Sequence, residues 1–407
     1  MIKKTKVCVF THTFPRFSGD TAAPFMGELA KGLVRHGFEV VVLTPYSPKI
    51  NFREKRSYKL LTYKYILPKK FHILGYSQTL KGDRSMSFFS YLLSPFLYFF
   101  GFLALVKTVK NEKVDIISSH WIIPNGFMAS LASKICKVPF TVTIPGSDVY
   151  MASRNPFFRW MAGFAAKSAG YVISDSRHYI HQLNKLGFFP KNTELIRYGV
   201  DTNKFKPSAA NPKLKKKLGL GSKDFIVLTL GRLVAKKGYK FLVDSIPKVL
   251  EKNKNARFVI VGEGEEKAKL IKRAKDLGVE KNIVFVGSVP HTMVKQYYHL
   301  ADLFVMPSVK DEKGNIDASP VSMMEAMACG LPVVATKYSD GDGLIRNGRN
   351  GFLVKDRSGK AIAEAILKAL SYKRDNPLGR EAWDTAVSSL SSKLAAEKYG
   401  ECFVKSI

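Results

Sequence analysis

The stretch Asp317-Ala318-Ser319-Pro320-Val321-Ser322-Met323-Met324-Glu325 runs on into Ala326-Met327-Ala328-Cys329-Gly330-Leu331-Pro332-Val333-Val334-Ala335-Thr336 and sets two acids around the start of a helix. Ser319 is a capping residue type, Pro320 suits the first helical position, and Gly330 can end the helix before an apolar strand over 332–336. A helix that begins at the carboxyl edge of a sheet presents free N–H groups and the positive end of a dipole. That combination can hold a diphosphate without a metal.

Outward from this stretch, strand-like runs alternate with helix-like runs, which is the pattern of parallel βαβ units rather than of a sandwich or bundle. The series around it places strands at 225–230, 257–261, 283–286, 303–306, 332–336 and 351–354, with helices such as 239–252 and 265–277 between them. An earlier series places strands at 6–11, 39–44, 114–118, 140–144, 171–174 and 193–196, with helices at 24–36, 127–136 and 176–186. A turn-rich, then basic stretch at 198–224, containing Pro207, Pro212 and lysines within 213–217, reads as the linker. The expectation is an α/β chain of two doubly wound, Rossmann-like domains, 1–198 and 199–381, with helices of 382–407 folding back on the first. Two such domains facing each other leave a cleft at the carboxyl ends of both sheets, where folds of this kind bind ligands.

Size and charge agree with this division. At 407 residues the chain exceeds the span of one hydrophobic core, about 250 to 300 residues. Its 65 Lys and Arg against 33 Asp and Glu leave +32, which favours anionic partners: nucleotides, phospholipid headgroups or nucleic acid. Four scattered cysteines, Cys8, Cys136, Cys329 and Cys402, have neither metal-ligand nor disulfide-framework spacing, so a reducing cytosol is expected. The apolar run 7–10 is broken too soon, by Thr11, His12 and Pro15, to be a secretory segment and reads as a buried first strand. Residues 85–106 carry no charge and approach membrane length. Pro95 and Gly101 weaken a simple spanning helix, so a packed or interfacial helix is the favoured reading.

Several motifs carry possible chemistry. Gly231-Arg232-Leu233-Val234-Ala235-Lys236-Lys237-Gly238 follows a strand and opens a helix. Arg232 and Lys237 there are able to clamp one diphosphate, and a departing nucleoside diphosphate gains charge that such fixed cations stabilise most in the transition state. The alternative is a basic solvated turn. Gly262-Glu263-Gly264 lacks the third glycine of a dinucleotide fingerprint, so a tight strand-to-helix turn suffices. Asp340-Gly341-Asp342-Gly343 lacks the closing Glu of a calcium loop and reads as an ordinary turn.

Over nearly its whole length the chain resembles a family 4 retaining glycosyltransferase of the GT-B fold. The resemblance rests on 13–20, with Gly19, on 24–38 and 40–45, and on His120-Trp121-Ile122-Ile123-Pro124-Asn125-Gly126 and Gly146-Ser147-Asp148. In the second half it rests on the 231–238 loop, on Ala301-Asp302-Leu303-Phe304-Val305-Met306-Pro307-Ser308 and on 317–336. It implies that Arg232 and Lys237 bind the donor diphosphate, that Glu325 binds the nucleoside ribose and that Asp317 faces the donor sugar. Gly19, Gly262, Ser319, Pro320 and Val321 join the donor-binding set. His120 and Asp148 fall on the acceptor side, with His120, Asp317, Arg232 and Lys237 as the catalytic group. His120 has a second reading as a structural hydrogen-bonder. Three positions depart from the family pattern: Asp317 stands where Glu is usual, Pro145 where many relatives have His, and Gly343 where an acid is common.

The expected activity is transfer of a hexose from a nucleotide sugar to an acceptor hydroxyl with retention of configuration. It needs no cofactor and no metal, the nucleotide sugar being a substrate. The expected acceptor is a saccharide or lipid-linked glycan precursor, and the expected location is the cytoplasm, peripheral to an anionic inner membrane face. A catalytically degenerate module that only binds a sugar nucleotide or glycan is the second reading. Nucleic-acid binding rests on net charge alone and ranks last.

Overall fold

The computed structural model describes residues 4–76, 80, 81, 85, 86, 88–340, 342–372 and 377–407. They form two compact units, Met1–Gly199 with Ser392–Ile407, and Val200–Ser391.

The first unit holds a seven-stranded parallel sheet. Its strands are β1 Lys6–Phe10, β2 Glu39–Pro45, β3 Lys59–Tyr63, β6 Ile116–His120, β7 Phe140–Ile144, β8 Tyr171–Ser174 and β9 Thr193–Leu195, while β4 Leu80–Lys81 and β5 Ser85–Met86 make a separate antiparallel pair. The spatial order is β3-β2-β1-β6-β7-β8-β9. Right-handed crossovers put the helix Pro24–Arg35, which joins β1 to β2, on one face. The helices Phe88–Glu112, Phe127–Cys136 and Pro156–Ser168 join strands that run the other way across the sheet, so they cover the opposite face. β3 was not expected. It is an edge strand whose side chains are mostly half-exposed, and Lys59 and Tyr63 at its ends hide it inside a stretch that reads as basic loop.

The helix Phe88–Glu112 contains the uncharged 85–106 segment from residue 88 onward, with Pro95 inside it. Leu93, Leu97, Leu105 and Val109 are buried, and Gly101 lies so close to Tyr63 that a Cβ would sit 3.0 Å from its hydroxyl. By length and composition Leu92–Glu112 also suffices to cross a membrane. Its inner face is occupied by the sheet.

The second unit holds a six-stranded parallel sheet: β10 Phe225–Leu230, β11 Ala256–Val261, β12 Ile283–Gly287, β13 Leu303–Met306, β14 Val333–Thr336 and β15 Gly351–Val354. The order β12-β11-β10-β13-β14-β15 reverses direction between β10 and β13, which defines a topological switch point. Along β10, Ile226 and Leu228 enter one core layer and Val227 the other, so the strand is apolar on both faces as a central parallel strand requires.

Two boundaries differ from the sequence reading. Val200, Phe205 and Leu220 of the supposed linker are buried in the core of the second unit. The return to the first unit begins at Ser392 rather than 382, because Ala382, Ala386 and Leu390, at and just beyond the helix Pro377–Ser389, pack with Met323 and Ala326. The helix Ser392–Ser406 then lies on Pro24–Arg35, where a Cβ on Gly32 would fall 2.8 Å from Ala396 Cβ.

Candidate functional site

In the second unit the loops that leave β10 and β11 lie backbone against backbone. Gly231 N donates to Val261 O (3.0 Å), Leu233 N to Glu263 O (2.8 Å) and Glu266 N to Leu233 O (3.0 Å). Gly262, at φ +140°, could carry no side chain here, since its Cβ would overlap the Gly231 carbonyl oxygen. Its place is thus underneath the 231–238 loop, shaping it. Gly238, at φ +67°, closes that loop against the Pro307 carbonyl. These contacts fix Lys237 beside the switch point, between the carboxyl ends of β10 and β13.

Lys237 Nζ lies 2.6 Å from Asp317 Oδ2 and 3.8 Å from Met306 Sδ. Both members of the ion pair are largely shielded, at 11% and 23% side-chain exposure, so the pair is stronger than a surface bridge. A Cβ at Gly231 would lie 3.3 Å from Lys237 Nζ and 2.8 Å from the Tyr239 hydroxyl, which places all three together. Burial raises the Tyr239 phenol, with a smaller effect in the same direction from the Asp317 charge. Arg232 is exposed on the same loop.

The helix after Asp317 is Val321–Ala328. Its N-cap is Pro320, at ψ 118°, and no side chain caps it; Ser319 Oγ is buried and makes no hydrogen bond. The capping expectation is therefore corrected: Pro320 sits one place before the first helical residue, and Ser319 stands too far back to reach the first turn. Met323 N turns back to the Pro320 carbonyl at 3.0 Å, which leaves the N–H groups of Val321 and Ser322 at the helix start for another acceptor.

One face of this helix carries Glu325, 4% exposed. Its Oε1 is 2.7 Å from His291 Nε2, and its Oε2 accepts from the Tyr298 hydroxyl at 2.9 Å. The Tyr298 phenol is raised by burial first and then by Glu325, with a smaller effect from Tyr239. Tyr298 and His291 thus hold the Glu325 carboxylate from both oxygens. A carboxylate oxygen that takes one protein donor has a lone pair left for a ligand hydroxyl. His291 and Tyr298 escaped the sequence reading; they lie 34 and 27 residues from Glu325, and no local spacing marks them.

In the first unit the expected residues fare differently. His120 ends β6 with no exposed surface; its Nδ1 is 3.1 Å from the Tyr198 hydroxyl and its Nε2 3.3 Å from Ser118 Oγ. Burial pushes its pKa down to about 3. Both nitrogens are engaged within the protein, the arrangement that the structural hydrogen-bonding reading of His120 describes.

Asp148 is likewise buried. Oδ2 accepts from Ile122 N (2.5 Å), and Oδ1 from Gly146 N (3.2 Å) and Val149 N (3.1 Å). It ties the turn after β7 to the turn after β6 through backbone N–H groups on both of its oxygens. Burial raises its carboxyl to about 6 against the pull of those N–H groups.

Gly19, at φ +87°, turns a loop closed by Arg16 and Asp20, whose Nε–Oδ2 distance is 2.6 Å. Asp340 accepts from Leu344 N and Ile345 N, at 2.6 and 2.8 Å, as in an ordinary turn. Gly341 lies outside the described residues.

The structure therefore joins Lys237 with Asp317 in one ion pair in the second unit, with Arg232 on the loop that carries Lys237, and places Ser319, Pro320 and Val321 at the start of the helix that carries Glu325. Among the described residues, no group of three or more His, Cys, Asp or Glu is set to hold a metal.

Two units each built on a parallel sheet, the second with polar groups gathered at its switch point, have the architecture of the GT-B glycosyltransferases. Residues 210–382 match the model of glycosyl transferases group 1, and residues 22–204 that of glycosyltransferase family 4. The chain belongs to this family. It is 27% identical over 301 residues, 72% of this chain and 71% of the relative, to a putative teichuronic acid biosynthesis glycosyltransferase, TuaC, of Bacillus subtilis. It is 25% identical over 319 residues, 74% and 78% of the two chains, to the UDP-Gal:alpha-D-GlcNAc-diphosphoundecaprenol alpha-1,3-galactosyltransferase of Escherichia coli. Its fold superposes on Anabaena Alr3699/HepE, solved with UDP and glucose, with TM-score 0.74 and 18% identity over 98% of this chain and 99% of that one.

Proposed function

We propose that this glycosyltransferase moves a hexose from a nucleotide sugar to an acceptor hydroxyl with retention of anomeric configuration and without a metal. The observation that carries the proposal is the shielded Lys237–Asp317 pair at the switch point, next to an uncapped helix start. Lys237 and Arg232 supply positive charge for the diphosphate, aided by the N–H groups at Val321. Asp317 accepts hydrogen bonds from hexose hydroxyls, and the two oxygens of Glu325 accept from the ribose diol. The C1–O bond to the diphosphate breaks while the acceptor oxygen attacks from the same face. The acceptor proton passes to the departing phosphate oxygen, so no protein nucleophile or strong base is required.

Asp317 is one methylene shorter than the usual Glu. We infer a hexose held closer to the Lys237 end of the site than a longer acid would hold it. The acceptor is proposed to be a saccharide on a lipid carrier, met by the first unit at the cytoplasmic face of an anionic membrane. The diphosphoundecaprenol-linked acceptor named for the Escherichia coli relative and the putative assignment of the Bacillus subtilis relative to teichuronic acid biosynthesis support that class.

The test is donor turnover with UDP-, GDP- and ADP-linked hexoses in the presence of EDTA, with the product anomer read by NMR. Release of nucleoside diphosphate with an unchanged anomer supports the reading. Turnover that stops on chelation, or an inverted anomer, overturns it.

A further inference from the structure

We propose that the outer surface of the helices Phe88–Glu112 and Pro156–Ser168 is a docking face for an anionic phospholipid bilayer, on which the first unit lies without crossing it. The proposal rests on the membrane-borne acceptor suggested above and names the surface that would reach it. Leu92, Phe96, Phe99, Phe100 and Leu103 are 57, 49, 59, 40 and 45% exposed. Their spacing of four, three, one and three residues keeps them on one side of the helix, over about 16 Å at 1.5 Å per residue. Scattered exposed apolar residues need no explanation, but a continuous stripe of large ones does.

The same side of the helix continues into Lys107 and Lys110, both exposed. Across the sheet face, the helix Phe127–Cys136 packs between this one and Pro156–Ser168. There Phe157 and Trp160, 59 and 56% exposed, stack with ring centroids 5.9 Å apart. The three helices carry Lys107, Lys110, Lys134, Arg159 and Lys167 against one acid, Glu112, and that acid is paired with Lys59 at 2.7 Å. Large apolar side chains, a tryptophan and a rim of unopposed lysines are what the headgroup region of an anionic bilayer accepts.

Two rival arrangements fit less well. A spanning helix would have to shed the contacts of its inner face, where Leu93, Leu97, Leu105 and Val109 are buried and Gly101 rests on Tyr63. A second copy on this face would set the same positive rim against itself in a chain of net charge +32.

The test uses the full chain and phosphatidylcholine vesicles with or without phosphatidylglycerol. Cosedimentation is expected with the anionic vesicles, weakening as salt rises. Phe99→Ser/Phe100→Ser, both exposed in the fold, is expected to reduce retention about tenfold or more with unchanged melting. As a second readout in the unaltered interface, Trp160 fluorescence is expected to shift blue on binding and to be quenched by brominated lipid, and Trp160→Phe to lose most of that quenching.

No retention by anionic vesicles overturns the proposal, as does full retention of the double variant or quenching that persists without Trp160. So does a dimer that sedimentation velocity shows to dissociate in the double variant, because the face is then covered by a second copy. Donor turnover with a soluble acceptor is measured in parallel. Vesicle binding without turnover sinks the catalytic reading alone, and turnover without vesicle binding sinks this one alone.

Discussion

Replacing Glu325 by Gln separates a ligand-binding carboxylate from a structural one. Glu325 is buried, with one donor on each oxygen: His291 on Oε1 and Tyr298 on Oε2. If a ribose diol takes the remaining lone pairs, Gln removes a charge and turns one accepting atom into an NH2 donor. A hydrogen bond to a charged group contributes about 1.5–3 kcal/mol, so the dissociation constant of the nucleotide sugar should rise roughly ten- to hundredfold. The fold should tolerate the change, because a neutral imidazole can reverse its hydrogen bond and accept from the new NH2 at Nε2. Ala is the poorer choice: it strands both donors in a buried site and adds about 2–5 kcal/mol of destabilisation through lost partners and a cavity. Calorimetry with UDP-, GDP- and ADP-linked hexoses identifies the donor that the unaltered protein binds, and the variant is then titrated with the same compound. Affinity within roughly twofold of the original, at an unchanged melting temperature, would refute the assignment of Glu325 to the ribose.

Three further outcomes follow from the geometry. Gly262→Ala places a methyl on the Gly231 carbonyl at φ +140°, and is expected to cost on the order of 3 kcal/mol and lower the melting temperature by roughly 6–12 °C; an unchanged melt would mean the two loops are not packed backbone to backbone. His120→Ala is expected to destabilise by about 2–5 kcal/mol through a cavity and the loss of the Ser118 and Tyr198 bonds, while leaving donor affinity intact; weaker donor binding at full stability would return His120 to the site. Asp148 has its folded pKa raised from 3.8 to about 6, so the folded state holds the extra proton and stability falls as pH rises through that window, by about 1.4 kcal/mol per unit, and is level above it. Urea unfolding between about pH 4 and 6 should show that slope in the original chain and lose it in Asp148→Asn; equal slopes would rule Asp148 out as its source.

The central parallel strands were legible because burial on both faces writes a nearly continuous apolar run, as in Phe225–Leu230, where Thr229 alone is polar. β3 was not, since this mostly half-exposed edge strand is five residues long and bounded by Lys59 and Tyr63, which read equally well as loop. Arg232, Lys237, Asp317 and Glu325 could be picked out because charged residues beside a glycine turn and a helix start are unusual in otherwise apolar surroundings. The choice between Ser319 and Pro320 as cap turned on a single ψ angle, which composition does not determine. His120 and Asp148 show a different limit: sequence gives the side chain and its strand end, but not whether it points to solvent or to Tyr198 and the Ile122 amide. His291 and Tyr298 meet Glu325 only through the packing of separate elements.

The most direct measurement is titration of the Arg232→Ala/Lys237→Ala variant with the nucleotide sugar that the original chain binds. Both cations lie on one loop at the switch point, and losing two charge-assisted contacts should weaken binding by at least about a hundredfold. The free protein also loses the shielded Lys237–Asp317 pair, so its melting temperature should fall while the variant stays folded at the titration temperature. Donor affinity unaltered in the double variant, or no binding of any UDP-, GDP- or ADP-linked hexose by the original chain, would contradict a diphosphate site at this loop.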